Sequence, residues 1–396
     1  MSYRLLAAAT NHPDPVNPYV GVFNARSIGA LADRDVTVDA VVPRPFAPPI
    51  GPYSSYRRIP RTSPARGYTV HHPRFLYAIP KRLGYGLTGR SYASRVPAYA
   101  DRTFDRPDVV HGFHLYPDAY GFSDYCDDRD VPLFATAHGT LLNQFESYSR
   151  GVRSKIRATL RACERVLCVS DALEKRVREY CPDADTAVVP IGADPSRFPT
   201  DQTDQIRHEL DIPDESPVVL FCGHFSRQKG VDDLIETLPT LAETDAHYFF
   251  TGRDGDRRVP LETAIVDAGL ADRATVMCDV PPLALRRLFA VADVFVLPSH
   301  SEGRPTVIYE AMAARTAVLA TSVGGVPEQV TDGETGVVIP PGEPDALAHE
   351  LELLCADPGQ RETFATAGLE RLRDHGWTWT DHAARLDRHY REAIDR

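Results

Sequence analysis

Glu302 and Glu310 stand eight positions apart in His300-Ser-Glu302-Gly303-Arg304-Pro305-Thr306-Val-Ile-Tyr-Glu310-Ala-Met-Ala, directly after the apolar run Val294–Leu297. A proline at a helix start leaves unpaired amides at the carboxyl end of a strand, where a diphosphate or a sugar hydroxyl can be held. The spacing predicts a helix from near Thr306, with Glu310 about one turn inside and placed to accept hydrogen bonds from a ribose diol. A second group, Cys222-Gly223-His224-Phe-Ser-Arg227-Gln-Lys229-Gly230, puts a lysine at the end of a glycine-containing loop before the helical pattern Val231–Leu241. Lysine is scarce, occurring only at 81, 155, 175 and 229, so its presence in a motif is informative. At such a loop end Lys229 can offset negative charge on a bound phosphate or diphosphate. Arg227 can hold a phosphate bidentately, whereas His224 is only partly charged near neutral pH. Gly324 and Gly325, before a helix that Pro327 helps start, form a second anion-friendly terminus. In the first half, His138 ends an apolar run beside Gly139, where α/β folds present catalytic groups; His111 and His114 are weaker candidates.

These residues need strand ends to hold them. Short β-branched runs alternate with helical patterns, the mark of parallel sheets covered by helices on both faces. Expected strands are Arg4–Ala9, Val36–Val42, Val109–Gly112, Leu133–His138, Val166–Val169 and Ala187–Pro190. A second set comprises Val218–Cys222, His247–Thr251, Thr275–Cys278, Val294–Leu297, Ala317–Ala320 and Val337–Ile339. Between the sets, Pro190-Ile-Gly-Ala-Asp-Pro-Ser-Arg-Phe-Pro199 excludes continuous helix or central strand. The fold class is therefore α/β, with an N-terminal domain over 1–195, a C-terminal domain over 196–375 and a terminal amphipathic helix over 376–396 returning to the first. Residues 43–107 break the rhythm and read as a long excursion from the first sheet, with helix near 81–100.

A chain of 396 residues suits two α/β domains. No apolar run reaches the ~18 residues that span a bilayer, and the start lacks a signal-peptide pattern, so a cytoplasmic protein is expected. The seven cysteines lack zinc or redox spacing and read as small buried hydrophobes. Gly84-Tyr-Gly86-Leu-Thr-Gly89 matches a dinucleotide fingerprint literally but follows no strand, which disfavours a bound NAD. Asp254-Gly-Asp256 imitates a metal-binding Asp-x-Asp in a chain where aspartate is abundant, so no metal site is assigned.

With these motifs in place, the chain resembles the retaining GT-B glycosyltransferases of family 4, whose hallmark is the Glu-x7-Glu element. The Lys229-Gly230 loop, Phe249-Phe-Thr-Gly-Arg253, Gly324-Gly-Val-Pro-Glu328 with Gly333-Glu-Thr-Gly336, and the strands ending at His138 and Ser170 agree in order over residues 107–375. The resemblance implies two Rossmann-like domains and a metal-independent transfer from a nucleotide diphosphate sugar, a co-substrate rather than a cofactor, to a saccharide or lipid-linked acceptor. It implies catalytic roles for His138, as a hydrogen-bond donor to the reacting sugar, and for Glu302. Gly223, His224, Arg227, Lys229, Gly303, Arg304, Pro305, Thr306 and Glu310 are the implied donor-binding residues, with the base read near Asp279–Leu283. Same-fold alternatives are a sugar-nucleotide epimerase and a silent sugar-nucleotide-binding protein. Three departures stand out: His224 replaces an arginine, the N-terminal Gly-Gly loop is reduced to Gly21, and Arg315 replaces the glycine after the Glu-x7-Glu helix, which disfavours a left-handed cap.

Charge is uneven. The formal net charge is −11, yet Tyr53 to Arg106 carries +9 and seven tyrosines (53, 56, 68, 77, 85, 92, 99). Lying in the expected acceptor domain, this stretch reads either as a solvated face or as a dock for an anionic surface, whether the inner membrane face with the tyrosines at the headgroups or a lipid-linked or phosphorylated acceptor. No nucleic-acid partner is expected.

Overall fold

Runs rich in Val, Ala and Leu, apolar on both faces and too short for helices, form the strands of two parallel sheets in the computed structural model, which describes residues 2–46, 54–77 and 81–396. Tyr53 and the side chains of Lys81 and Arg82 lie outside the described residues. The chain divides after Ile191: one unit is Met1–Ile191 with Trp379–Arg396, the other Gly192–Thr378.

In unit one, the strands are β1 (Tyr3–Ala8), β2 (Val36–Val41), β3 (Arg44–Pro45), β4 (Thr62–Ala65), β5 (Tyr68–His71), β6 (Arg74–Phe75), β7 (Val109–Gly112), β8 (Leu133–Ala137), β9 (Arg165–Cys168) and β10 (Thr186–Val188). Eight of them form a sheet in the order β10-β9-β8-β7-β1-β2-β5-β4, parallel except for the β4–β5 pair, while β3 and β6 pair separately. The expected excursion therefore rejoins the sheet over 62–71. Its sequence signal is short, and Pro64 breaks β4, which a proline tolerates because this strand is an edge. The Gly84–Gly89 fingerprint lies inside the helix Lys81–Thr103, where a Cβ on Gly89 would fall 1.9 Å from the Tyr116 hydroxyl. That glycine serves packing.

Unit two has β11 (Val218–Cys222), β12 (His247–Gly252), β13 (Ala274–Cys278), β14 (Val294–Leu297), β15 (Ala317–Thr321) and β16 (Val337–Ile339), in the order β13-β12-β11-β14-β15-β16. The chain runs outward from β11 through β12 and β13, then resumes on its other side at β14. This reversal opens a crevice between the carboxyl ends of β11 and β14, where open α/β sheets bind ligands. Unit one reverses in the same way between β1 and β7.

The terminal helix Trp379–Ile394 buries Ala383, Leu386 and Tyr390 in the core of unit one. Its polar contacts are equally specific, with the Tyr3 hydroxyl donating to Asp387 at 2.9 Å and Arg34 pairing with Asp387 at 2.9 Å. His382 is hydrogen-bonded at both ring nitrogens, to the Pro190 carbonyl (2.8 Å) and the Ser27 hydroxyl (2.7 Å). His111 bonds the Tyr390 hydroxyl (2.5 Å) and that of Thr136 (2.8 Å), and His12 bonds the Pro13 carbonyl and the Tyr68 hydroxyl.

Burial pushes His12 and His382 down to about 4 and His111 to about 3. An unfolded histidine titrates near 6.5, so below that pH the unfolded chain takes up protons that the fold refuses. Stability from these groups is complete above about pH 6.5 and falls towards pH 4, by roughly 1 kcal/mol per pH unit for each histidine. Thermal melts followed by circular dichroism should show an unfolding midpoint that drops steeply between pH 6.5 and 5. A midpoint flat over that range would contradict this account.

Candidate active site

Three loops leave the carboxyl ends of β11, β14 and β15 and are held to one another by backbone. The first, residues 223–230, turns through a short 3-10 segment, Arg227–Lys229, into Gly230 at φ 70° and the helix Val231–Leu241. A Cβ on Gly230 would lie 1.9 Å from the Pro298 carbonyl oxygen, so only glycine lets this loop press on the one after β14. His300 N–H donates to the Gln228 carbonyl (2.8 Å), and the Gln228 amide donates to the Ser301 carbonyl (3.1 Å). The third loop joins at Gly324, φ 56°, where a Cβ would meet the Glu302 carbonyl at 2.3 Å, while Gly325 N–H donates to the Gly303 carbonyl at 2.8 Å. Gln329 donates to the Pro305 carbonyl at 3.0 Å.

This frame brings together residues distant in sequence. The stem of Lys229 runs beside Gly223, and its Nζ reaches Glu302 Oε1 at 2.5 Å. The Ser299 hydroxyl donates to the same oxygen at 2.7 Å, and the Glu302 side chain is 8% exposed. Glu302 thus fixes the cation of Lys229 at the switch between β11 and β14. The helix begins at Thr306 after Pro305, leaving its first amides unpaired by any side-chain cap, and Glu310 is buried inside it. Burial pushes the Cys222 thiol up to about 12, with Glu310 adding to the shift and Lys229 opposing it, so both charges face the end of β11.

Three expectations change, those for Arg304, Arg315 and His138. Arg304, expected to bind donor, is buried: its guanidinium donates to Glu328 at 2.5 Å and to the Tyr309 hydroxyl, and stacks 5.0 Å from the Trp377 ring centroid. It braces the loop from inside unit two because Glu328 and two aromatic rings satisfy it there. Arg315 does adopt the left-handed cap, at φ 59°. Thr316 N–H bonds the Ala311 carbonyl and Arg315 N–H that of Met312, the Schellman pattern, and the Arg315 side chain reaches Glu362. Arg227 and His224 are both exposed, with Arg227 engaged by Asp232 at 3.3 Å. Asp254 pairs with Arg258 at 2.8 Å, and the described residues hold no group of three or more His, Cys, Asp or Glu placed for a metal ion. Asp279, in the segment expected to read the base, adopts φ 51° and ties the β13 exit to Gly252.

The change at His138 is in unit one. His138 follows β8 and packs 4.7 Å from the Phe23 ring. The ring hydrogen-bonds the Phe113 backbone, and buried Nε2 has no hydrogen-bond partner among the described residues. Nδ1–H is therefore the donor to Phe113, and Nε2 keeps its lone pair. Burial, reinforced by His114, holds the ring well below the usual histidine range. His138 is thus a neutral acceptor where the sequence reading expected a donor. Sequence reasoning also missed the Arg44–Asp14 ion pair at 2.7 Å, both side chains nearly fully buried, which anchors the loop after β1. Arg44 donates further to the Thr10 and His12 carbonyls. Gly21, at φ 69°, packs on Asn11, where a Cβ would collide with backbone at 2.3 Å.

A family model described as Glycosyl transferases group 1 matches residues 202–371, and one described as Glycosyltransferase Family 4 matches residues 20–197. The chain is 28% identical over 355 residues to a putative teichuronic acid biosynthesis glycosyltransferase, TuaC, of Bacillus subtilis, covering 88% of each. It is 33% identical over 300 residues to a D-inositol 3-phosphate glycosyltransferase of Xylanimonas cellulosilytica, covering 71% of each. Among solved structures it is similar to sucrose-phosphate synthase from Thermosynechococcus elongatus, with TM-score 0.81, 22% identity and 99% of both chains covered. A crystal structure of Anabaena HepE in complex with UDP-glucose superposes with TM-score 0.73 at 18% identity over 98% of both chains.

Proposed function

This chain belongs to the family 4, group 1 glycosyltransferases and has the GT-B fold, and we propose that it is a retaining, metal-independent hexosyltransferase using a nucleotide diphosphate sugar. The observation that carries this reading is Lys229, held at the switch point by Glu302 on the loop that leads into the helix beginning at Thr306. There it would meet the charge that appears on the leaving diphosphate, the place where preorganised donors lower a barrier most. Glu302 acts as the positioning carboxylate for that cation, and Glu310 accepts the ribose hydroxyls. Gly223 and Gly303 keep backbone close to the phosphates, with His224 or Arg227 as the second cation. In unit one, Nε2 of His138 accepts a hydrogen bond from a hydroxyl of the transferred sugar. The acceptor oxygen bonds to the anomeric carbon on the face from which the diphosphate departs, and its proton passes to a phosphate oxygen.

The acceptor in this reading is a saccharide or a lipid-linked or phosphorylated molecule of cell-surface glycan synthesis, in keeping with the two relatives' names. No described helix is long and apolar enough to cross a membrane. We place the enzyme in the cytoplasm, with the basic stretch 53–106 meeting the inner membrane face.

A thermal-shift screen of UDP-, GDP- and ADP-sugars tests the donor assignment, because a ligand that binds only the folded state raises stability by mass action. One base class should raise the midpoint by several degrees, with transfer unchanged by EDTA. Activity lost in EDTA and restored by Mn²⁺ or Mg²⁺ would overturn metal independence.

A further inference from the structure

Among the described residues, the tyrosines of the basic stretch are not its exposed face. Tyr68 and Tyr92 are buried, Tyr85 donates to the Tyr116 carbonyl, and Tyr99 bonds His71. What the same region exposes is aliphatic and aromatic: Phe46 at 57%, Leu76 at 57% and Leu87 at 60%. Their proximity follows from the local frame. Phe46 and Leu76 directly continue the β3–β6 pair, with Phe46 N–H donating to the Phe75 carbonyl at 2.8 Å. Leu76 N–H donates to Ser91 Oγ at 2.8 Å, and the Arg95 guanidinium lies 5.9 Å from the Phe46 ring centroid. Leu87, Ser91 and Arg95 are spaced four apart on the helix Lys81–Thr103 and so share one stripe. Arg74 donates to the Ile59 carbonyl at 2.6 Å, which fastens the turn carrying Arg57 and Arg58 to the same ladder.

The surrounding charge identifies the partner. Arg57, Arg58, Arg61, Arg90, Arg95 and Arg102 are all exposed and have no carboxylate partner among the described residues. By contrast, arginines elsewhere in unit one pair repeatedly, as Arg34 does with Asp387 and Arg129 with Asp101. Exposed apolar side chains carried on the same helix and ladder as these cations, in a protein of net charge −11, complement an anionic bilayer: the apolar groups enter the interface and the arginines meet phosphates. We propose that Phe46, Leu76 and Leu87 form a ledge by which unit one docks into an anionic lipid surface. This deepens the membrane contact suggested above and is independent of the donor site.

Cosedimentation with vesicles of phosphatidylglycerol and phosphatidylcholine, against phosphatidylcholine alone, is the test. The wild type should pellet with the anionic vesicles only and be partly released by salt. Phe46→Ser/Leu76→Ser/Leu87→Ser should lower partitioning at least ~10-fold, given the transfer free energy of three such side chains, with the sugar-nucleotide thermal shift unchanged. Leu87→Trp should be quenched by brominated anionic lipid, a signal the native Trp377 and Trp379 do not mask because both are buried. A triple variant that pellets like wild type overturns the ledge, and a wild type that binds neither vesicle while still responding to donor overturns the membrane reading alone. A wild-type dimer that the triple variant dissociates, without vesicle binding, would assign the face to a second copy.

Discussion

Lys229→Ala lowers turnover by at least ~10²-fold while the fold persists, and Glu310→Ala does the same by removing the proposed ribose acceptor. A factor of this size corresponds to about 3 kcal/mol of transition-state stabilisation, in the range for one preorganised group facing developing charge. The lysine change has a second consequence, because Glu302 is nearly buried and loses the cation that its Oε1 shares with the Ser299 hydroxyl. Leaving a buried polar group poorly satisfied costs about 1–3 kcal/mol, so the variant should also melt earlier. Lys229→Ala/Glu302→Gln separates the two effects, since removing the carboxylate's charge restores stability without restoring the cation. Initial rates with the donor identified by thermal shift, beside melting curves, provide the measurement. Near-normal turnover in Lys229→Ala would remove Lys229 from the mechanism, and loss of turnover reversed in the double variant would make its role purely structural.

Gly230→Ala should be among the most damaging single-methyl additions in unit two. The residue sits at φ 70°, which costs an alanine about 1–2 kcal/mol, and the new Cβ would lie 1.9 Å from a backbone oxygen that cannot swing aside. Separating the loops after β11 and β14 also moves Lys229 off Glu302. We expect destabilisation of at least ~3 kcal/mol and a fall in donor affinity beyond what the lost stability explains. Urea unfolding and donor titration at a temperature where the variant is fully folded check both parts. Unchanged donor affinity in the folded variant would show that the contact between these loops does not position the site.

Donor-side chemistry was legible because it is written locally. A strand run, a glycine loop and Lys229 lie within a dozen residues, and Glu302, Pro305 and Glu310 share one strand-to-helix turn. The fate of Arg304 was not legible, because Glu328 and Trp377, which draw it inward, stand 24 and 73 positions away. Left-handed Arg315 escaped the glycine rule through partners supplied by the next helices, with Glu362 47 positions on. β5 was missed because its alternation, with Tyr68 and Val70 buried and Thr69 and His71 less so, lasts only four residues beside an edge strand containing Pro64.

By itself the sequence determined most of the strands and helices outside residues 43–107, since side-chain period and turn chemistry act over a few residues. It also determined which turns could carry a cation, a pair of carboxylates or close-packed glycine. Only the tertiary structure decided how charges pair and which atoms remain open. Lys229 meets Glu302 across 73 positions because β11 and β14 are neighbours in the sheet although β12 and β13 intervene in the chain. His138 becomes a neutral acceptor because Phe113, on the exit of the adjacent β7, takes its Nδ1–H and burial denies it a second proton. The basic stretch turns Tyr85, Tyr92 and Tyr99 inward and Leu76 and Leu87 outward because packing against Tyr116, Phe122 and His71 satisfies the tyrosines. Desolvation and partner choice depend on which chain segments the topology makes adjacent, and that information is not local.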